Sequence, residues 1–214
     1  TDSFGVLYNK EMTTLLSAPH ITYNDGTEAT AYAIPATVTT IAAEAFANKS
    51  GVTKISFLHD SNSPVTLAQG IFLNATSIQE VVLPEGLKTI SANMFEGCTN
   101  LKKITIPGTV ESIENYAFTN LAKLTDLNFL PGTAPLVIED ASNWAYQAFR
   151  NCTALETVVL PERTTRIGMN AFAQHASLKK IVIPSTVEII GSLTNFTSSY
   201  VFNSCPKLEE VIFA

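Results

Sequence analysis

One feature constrains this chain more than its composition: a phenylalanine recurs at an equivalent place in seven successive segments. The gaps between these phenylalanines are 26, 23, 23, 31, 23 and 30 residues, so the basic period is 23 with three insertions. The seven residues are Phe46, Phe72, Phe95, Phe118, Phe149, Phe172 and Phe202. A fixed period of this length is typical of a solenoid, in which a repeat buries its apolar side only by stacking on its neighbours.

Each phenylalanine is followed by apolar residues six, nine and eleven positions later, as in Leu101, Ile104 and Ile106. The last two alternate with polar residues, which is the period of a β-strand. The proline that follows ends the strand, because it has no N–H for a ladder. The turn that carries the phenylalanine has apolar residues at i and i+3, which predicts a short helix or a 3₁₀ turn. We therefore predict an α/β fold: a right-handed leucine-rich-repeat solenoid, or horseshoe, with its parallel sheet on the concave face.

The chain divides into an N-terminal unit and a repeat array. Within residues 1–33, β-prone runs at 6–8 and 14–16 flank a turn at 9–11, which predicts a hairpin that caps the core. Residues 34–214 then form about seven repeats of one continuous solenoid.

The repeat pattern I-P-x-x-V-x-x-I-x-x-x-A-F-x-x-C-x-x-L-x-x-I-x-I resembles the BspA-like leucine-rich repeat family over residues 34–213. The N-terminal stretch GVLYNKEMTTLLSAP is similar to the hairpin element of that family. The resemblance implies a secreted or surface-anchored bacterial protein, of a kind often linked with adhesion to a host. It implies no single shared ligand.

Composition and motifs argue against several functions. A net charge of −6 with 13 Lys plus Arg argues against a nucleic-acid partner. No apolar run approaches the ~20 residues that span a bilayer, and the sequence from Thr1 lacks the features of a signal peptide. The motifs of zinc proteases, serine hydrolases, P-loop proteins and dinucleotide-binding proteins are missing. We expect no enzyme activity, cofactor or metal, and a solvated acidic loop at Glu139–Asp140.

The three cysteines each stand three residues after a repeat phenylalanine, so Cys98, Cys152 and Cys205 belong to one inward column. These repeats are two strand spacings apart, about 10 Å, whereas a disulfide needs Cα atoms within about 7 Å. The sequence therefore predicts three buried free thiols. His175 takes the same column in the sixth repeat, where we interpret it as a packing residue.

Two columns of residues run across the predicted sheet. The residues before the middle apolar position alternate in charge, which predicts a ladder that fixes the strand register. This column comprises Lys54, Glu80, Lys103, Asp126, Thr157, Lys180 and Glu210. The second column becomes apolar at Val159, Val182 and Ile212. If exposed, these three form a patch for a partner or a neighbouring chain; burial under an insertion is an equal alternative.

Two insertions, at 132–147 and 191–200, both precede a repeat phenylalanine and should emerge on the same edge. Their aromatic residues Trp144, Tyr146, Phe196 and Tyr200 would then form one platform suited to a sugar face or a protein. The alternative is that these rings cover the core beneath their own loops.

These patterns predict a non-catalytic, extracellular or cell-surface recognition or adhesion module that binds a host or bacterial surface protein or glycan. One alternative is a structural spacer or stalk of a larger surface protein, without its own ligand. Another is an accessory protein that captures glycans. The apolar strand at 211–213 is also an open edge, which makes end-to-end self-association a further expectation.

Overall fold

The chain opens with a hairpin and then winds through short parallel strands. The computed structural model describes residues 2–18, 30–47, 51–59, 64–140, 148–191 and 200–214. Strands β1 (Leu7–Tyr8) and β2 (Thr14–Ser17) pair antiparallel, at the place where the sequence predicts a hairpin. Strand β2 also pairs parallel with the first short strand of the array, so the hairpin is joined to the solenoid by a hydrogen-bonded ladder.

The later strands stack on two sides of one apolar core in about seven turns. One side, called the front sheet, holds the L-x-x-I-x-I strands. These are β3 (Ala31–Ile34), β5 (Lys54–Phe57), β7 (Glu80–Val82), β9 (Lys103–Ile106), β11 (Asp126–Phe129), β13 (Thr157–Val159), β15 (Lys180–Ile183) and β17 (Glu210–Phe213). Their core-facing residues alternate with residues that point to solvent, as the period-2 pattern predicts.

The opposite side, called the back sheet, is made of the shorter V-x-x-I segments. These are β2, β4 (Thr40–Ile41), β6 (Thr66–Leu67), β8 (Thr89–Ile90), β10 (Ser112–Ile113), β12 (Leu136–Ile138), β14 (Thr164–Ile167) and β16 (Ile189–Ile190). They form two hydrogen-bonded sets, β2 to β6 and β8 to β16, which are joined by a single bridge between Val65 and Leu87. Strand β12 lies inside the segment that the sequence assigns to an insertion, yet it pairs in register with β10 and β14. The inserted length in that repeat is therefore shorter than the pattern suggested.

The turns that carry the phenylalanines are not helical, so the helices of the α/β class are absent from the described residues. Backbone φ angles are positive two residues before and two residues after the phenylalanine, as at Asn93 and Gly97 around Phe95. Left-handed residues spaced four apart interrupt any helix and make successive tight turns instead. The class observed is a parallel β-solenoid; its handedness and its horseshoe curvature stay predictions.

The seven phenylalanines form one stack through the core. Consecutive rings lie 4.8–5.5 Å apart between centroids from Phe46 to Phe172, and the last step to Phe202 is 6.2 Å. Backbone bonds also join the turns, since the Phe95 N–H donates to the Ala117 carbonyl at 3.0 Å. The phenylalanine turns thus add a third set of contacts between successive turns, beside the strands of the front and back sheets.

The two ends of the stack differ. At the N-terminal end the Tyr32 hydroxyl donates to the Asp2 carboxylate at 2.6 Å and also bonds the Tyr8 hydroxyl, so the hairpin is tied over the core. Burial raises the pKa of Tyr8 to about 12, which keeps this hydroxyl protonated. At the other end, Phe213 on β17 is 69% exposed although it occupies a core position. Self-association through this edge stays a prediction.

Candidate recognition surface

The charge ladder of the front sheet is present, in the register that the sequence predicts. Lys54 pairs with Glu80, Lys103 with Asp126 and Lys180 with Glu210, at 3.1, 3.4 and 2.9 Å between nitrogen and oxygen. Each pair joins residues that face one another across adjacent parallel strands. The ladder is partly exposed, and within the protein its pairs contribute to the strand register.

The apolar column lies at the C-terminal end of the same sheet. Val159 faces Val182, and Val182 faces Ile212, on three consecutive paired strands. Val159 is 57% exposed, and the other two side chains are half-buried. Described residues therefore do not cover this column, which forms a continuous apolar strip on the sheet surface.

The structure describes only one residue of the predicted aromatic platform, Tyr200. Tyr200 is 46% exposed at the start of the last phenylalanine turn. Trp144, Tyr146 and Phe196 lie outside the described residues. Whether the four rings come together stays a prediction.

The front sheet is interrupted between β11 and β13, a feature that the sequence analysis missed. The sheet runs in order from β3 to β11 and then stops, and β13, β15 and β17 form a separate sheet. The back sheet and the phenylalanine stack continue through the same two repeats, with β10 paired to β12 and the Phe118 and Phe149 rings 4.8 Å apart. The solenoid is thus open on one side only.

A cleft lies at the corner beside this break, where the chain passes from the front sheet to the back sheet. One cavity of about 280 Å³ is lined by Phe129, Pro131, Gly132, Pro161, Glu162 and Arg163. A second cavity of about 370 Å³ adjoins it and shares Gly132, Glu162 and Arg163. The segment after β11 is longer at this corner, with two more residues from Phe129 to Val137 than in the equivalent segment from Ile106 to Ser112.

Arg163 forms the floor of the cleft. Its guanidinium donates to the carbonyls of Pro107 and Ala134 at 3.1 Å each, and also to the Val110 carbonyl. The side chain is only 7% exposed, and burial lowers the pKa of Arg163. Backbone carbonyls thus hold a buried cation in place, and through it the turn after β13 is joined to the repeat before β11.

The acidic pair near this region is not a solvated loop. The Asp140 carboxylate pairs with Arg166 and accepts the Met169 N–H at 2.9 Å, while Glu139 accepts the Ser112 hydroxyl at 3.0 Å. Both carboxylates are half-buried. The expectation of a free acidic loop was wrong because these residues directly follow β12, which the pattern had placed within an insertion.

All three cysteines are free thiols, as predicted, but the burial predicted for the column holds only for Cys98 and Cys152. The Cys98 and Cys152 thiols donate to the carbonyls of Phe72 and Phe118, at 3.0 and 3.2 Å, and both residues are fully buried. Burial raises the pKa of each of these two thiols to about 12. Cys205 is only half-buried, because no described repeat covers it.

We expect thiol reagents to distinguish these cysteines. With iodoacetamide at pH 8, Cys205 should be alkylated in the folded protein, whereas Cys98 and Cys152 should react only after denaturation, since a buried neutral thiol is a poor nucleophile. Peptide mass spectrometry after timed quenching measures all three in one sample. Equal labelling rates in the native protein would contradict the buried column.

His175 is fully buried between the repeats that carry Cys152 and Cys205. Neither ring nitrogen has a hydrogen-bond partner among the described residues. Burial lowers the pKa of His175 to about 4, although nearby carbonyls of Phe149 and Cys152 favour the protonated ring. The packing role predicted for this residue is consistent with its place, 6.0 Å from Phe172 between ring centroids.

The described residues form neither a metal-binding cluster nor a membrane-spanning helix. Among the described residues, no group of three or more His, Cys, Asp or Glu side chains is arranged to hold a metal ion. Within the same part of the chain, no helix has the length and apolar character that crossing a membrane requires.

The repeat pattern decides the family. The sequence model of the BspA-type leucine-rich repeat region matches residues 21–136 and 144–214, with six copies. The chain belongs to the BspA-type leucine-rich repeat family. This agrees with the resemblance drawn from the I-P and A-F-x-x-C elements.

Solved structures similar to this BspA-type solenoid are bacterial leucine-rich repeat proteins. One from Eubacterium ventriosum ATCC 27560 has 23% identity and a TM-score of 0.66, over 93% of this chain and 48% of that one. One from Bacteroides ovatus ATCC 8483 has 21% identity and a TM-score of 0.55, over 99% and 46%. One from T. pallidum has 20% identity and a TM-score of 0.59, over 100% and 83%.

At these identities the likeness establishes the fold of the BspA-type solenoid alone. The chain spans about half the length of the first two solved relatives. No curated protein matches the sequence significantly.

Proposed function

We propose that this solenoid is a non-catalytic recognition module, located at the cell surface or secreted, that binds a protein or glycan on its front sheet. The observation that carries the proposal is the apolar strip of Val159, Val182 and Ile212 on an open sheet face. An apolar strip in contact with water is characteristic of an interaction surface.

The strip is local, which supports a specific role. In the N-terminal half of the sheet the same column is mixed, with polar Ser56, Thr105 and Asn128 but apolar Ala33 and Val82, whereas the C-terminal strands hold three apolar residues in succession. Solubility alone would favour polar residues throughout the column. The change to valine and isoleucine therefore points to a contact made by the C-terminal half.

Membership of the BspA-type family supports the surface location, because the resemblance to that family implies a secreted or surface-anchored protein. We further propose the right-handed, horseshoe-like curvature expected from the sequence. In that arrangement the front sheet is concave, and the strip lies within the concavity.

A binding screen against matrix proteins and polysaccharides tests the recognition function. We expect Val159→Lys to weaken binding of any ligand found by about tenfold or more, since it places a charge in the apolar strip. Ser56→Lys is the matched control, because it adds the same charge to the same column at a polar position outside the strip. Equal affinity of the two variants would remove the strip from the binding site.

The spacer alternative is favoured by the partial coverage of longer relatives and by the uninterrupted phenylalanine stack. It predicts no binding in the screen, together with loss of surface display of the intact protein when the repeats are deleted. The glycan-capturing alternative depends on the aromatic platform and predicts that Trp144→Ala and Tyr200→Ala lose polysaccharide binding only.

A further inference from the structure

We propose that the break in the front sheet is a docking site for an extended basic peptide, which adds as a β-strand to the free edge of β11. The inference rests on the proposed recognition function and narrows its partner to a protein with an exposed, extended segment. Three independent features of the break lead to it: unpaired backbone groups, half-exposed core residues and an incomplete charge ladder.

The backbone of β11 has one free edge. In a parallel sheet, alternate residues direct their N–H and C=O groups to opposite neighbours. The Asp126 N–H donates to the Lys102 carbonyl and the Leu130 N–H to the Ile106 carbonyl, at 3.0 and 2.8 Å. The alternate residues Leu127 and Phe129 therefore point their backbone groups toward the break, where no described residue pairs with them.

Strand β13 borders the other side of the break with the same kind of edge. The Lys180 N–H donates to the Glu156 carbonyl at 3.2 Å and the Leu160 N–H to the Val182 carbonyl at 3.1 Å. Thr157 and Val159 therefore direct their backbone groups back toward β11. Two unpaired edges facing one another within a sheet accept an added strand in the mode known as β-augmentation.

Core side chains at the break are less covered than their counterparts. Leu127 and Phe129 are half-buried, whereas Ile104 and Ile106 on the neighbouring strand are 0% exposed. A strand laid along β11 would cover both residues as β9 covers the other side. The core-facing residues of the peptide are thus expected to be apolar and β-branched.

The charge ladder indicates the sign of the outward residues. Along the first half of the column the charges alternate as Lys54, Glu80, Lys103 and Asp126. Asp126 has a cationic neighbour on one side and the break on the other. A lysine or arginine in the added strand would continue the alternation, and Glu162 in the corner cavity beside Phe129 offers a second carboxylate.

The probe is a fluorescein-labelled peptide of alternating lysine and valine, with a glutamate–valine peptide as the charge control. Fluorescence polarisation is expected to show saturable binding of the lysine peptide only. Amide hydrogen exchange gives the position: Leu127 and Phe129 should exchange fast in the free protein and at least tenfold more slowly in the complex.

Two N-methylated peptides test backbone pairing separately from side chains. They carry the methyl groups on opposite sets of alternate residues, so that one set blocks the amides facing β11 and the other leaves them free. The first should lose binding, and the second should lose binding as well only if the peptide also pairs with β13. Full binding of the first peptide would overturn strand addition to β11.

Charge variants of the protein test the ladder. Asp126→Lys should weaken the lysine peptide about fivefold or more. Glu188→Lys, an equal change of charge on an exposed residue of the back side, should leave affinity within about twofold. If Asp126→Lys fails to fold, Asp126→Asn should show a smaller loss of the same sign. Equal effects of Asp126→Lys and Glu188→Lys would mean unspecific attraction and overturn the proposal.

The outcomes separate this inference from the broader function. If a ligand depends on Val159 but leaves the Leu127 and Phe129 amides unprotected, recognition stands and strand addition falls. Slow exchange of the Leu127 and Phe129 amides in the free protein would also overturn strand addition, since the edge would already be paired. Binding of polysaccharide alone in the screen has the same consequence.

Discussion

Replacing Phe118 with alanine is expected to lower the free energy of unfolding by about 3–5 kcal/mol. The ring is fully buried and stacks on Phe95 and Phe149 at 5.5 and 4.8 Å between centroids. Its removal leaves a cavity lined on both sides, in the one place where the front sheet is already interrupted. The back sheet then carries most of the remaining contact between the two halves.

Urea denaturation monitored by circular dichroism measures the loss. Phe202→Ala is the matched control, because Phe202 is half-buried and, among the described residues, stacks only on Phe172, at 6.2 Å. We expect it to cost about 1–2 kcal/mol, since less apolar surface is transferred to water. A second transition in Phe118→Ala would show that the halves unfold separately. Equal losses in the two variants would contradict a stack whose strength depends on two-sided burial.

Acidification should destabilise the protein between pH 6.5 and about 4 through one residue, His175. Burial lowers its pKa from 6.5 to about 4, so the unfolded chain binds a proton in this range while the folded chain does not. Stability is therefore full above pH 6.5 and falls as the pH decreases toward 4. A difference of about 2.5 pKa units corresponds to about 3 kcal/mol.

The variant His175→Leu isolates this contribution from the carboxylates that titrate nearby. Leucine fits the column, because Leu121 occupies the same position in the fourth repeat and is fully buried there. We expect the variant to be at least as stable as the wild type at pH 7 and about 3 kcal/mol more stable at pH 4. The comparison is made from urea midpoints at several pH values. Parallel pH profiles for the two proteins would show that His175 has access to solvent.

The front sheet and its register followed from the sequence because the pattern repeats seven times. A strand such as β9 has apolar residues at alternate positions, and the charges of Lys103 and Asp126 match only in one register. A one-residue slip would turn all core residues outward. Repetition thus turns a weak local signal into a strong one.

The helices were predicted wrongly because an i, i+3 apolar spacing suits either a helical turn or two tight turns. The distinguishing signal was present in the residues flanking each phenylalanine. Asn74, Asn120 and Asn151 follow it by two positions and have positive φ, a conformation that asparagine adopts more readily than most residues. Apolar spacing alone does not carry that information.

The break in the front sheet was beyond the sequence for a different reason. The 31-residue gap between Phe118 and Phe149 and the uncharged Thr157 mark the repeat as irregular, but neither shows which of the two sheets is interrupted. The side of the break depends on the path of the segment from Leu130 to Leu136 between the two sheets and on which carbonyls Arg163 contacts. Both are non-local contacts, which a periodic pattern does not specify.

The interrupted sheet gives the solenoid an uneven mechanical response. Tension along its axis is borne by hydrogen-bonded ladders connected in series from one turn to the next. Between the repeats of β11 and β13 the front ladder is missing, so the load passes to the back sheet and the phenylalanine turn. The back ladder is likewise reduced to a single bridge between β6 and β8, so we expect tension to open the described array first at these two joints, and at the joint between β11 and β13 to widen the same edge that we propose receives a peptide.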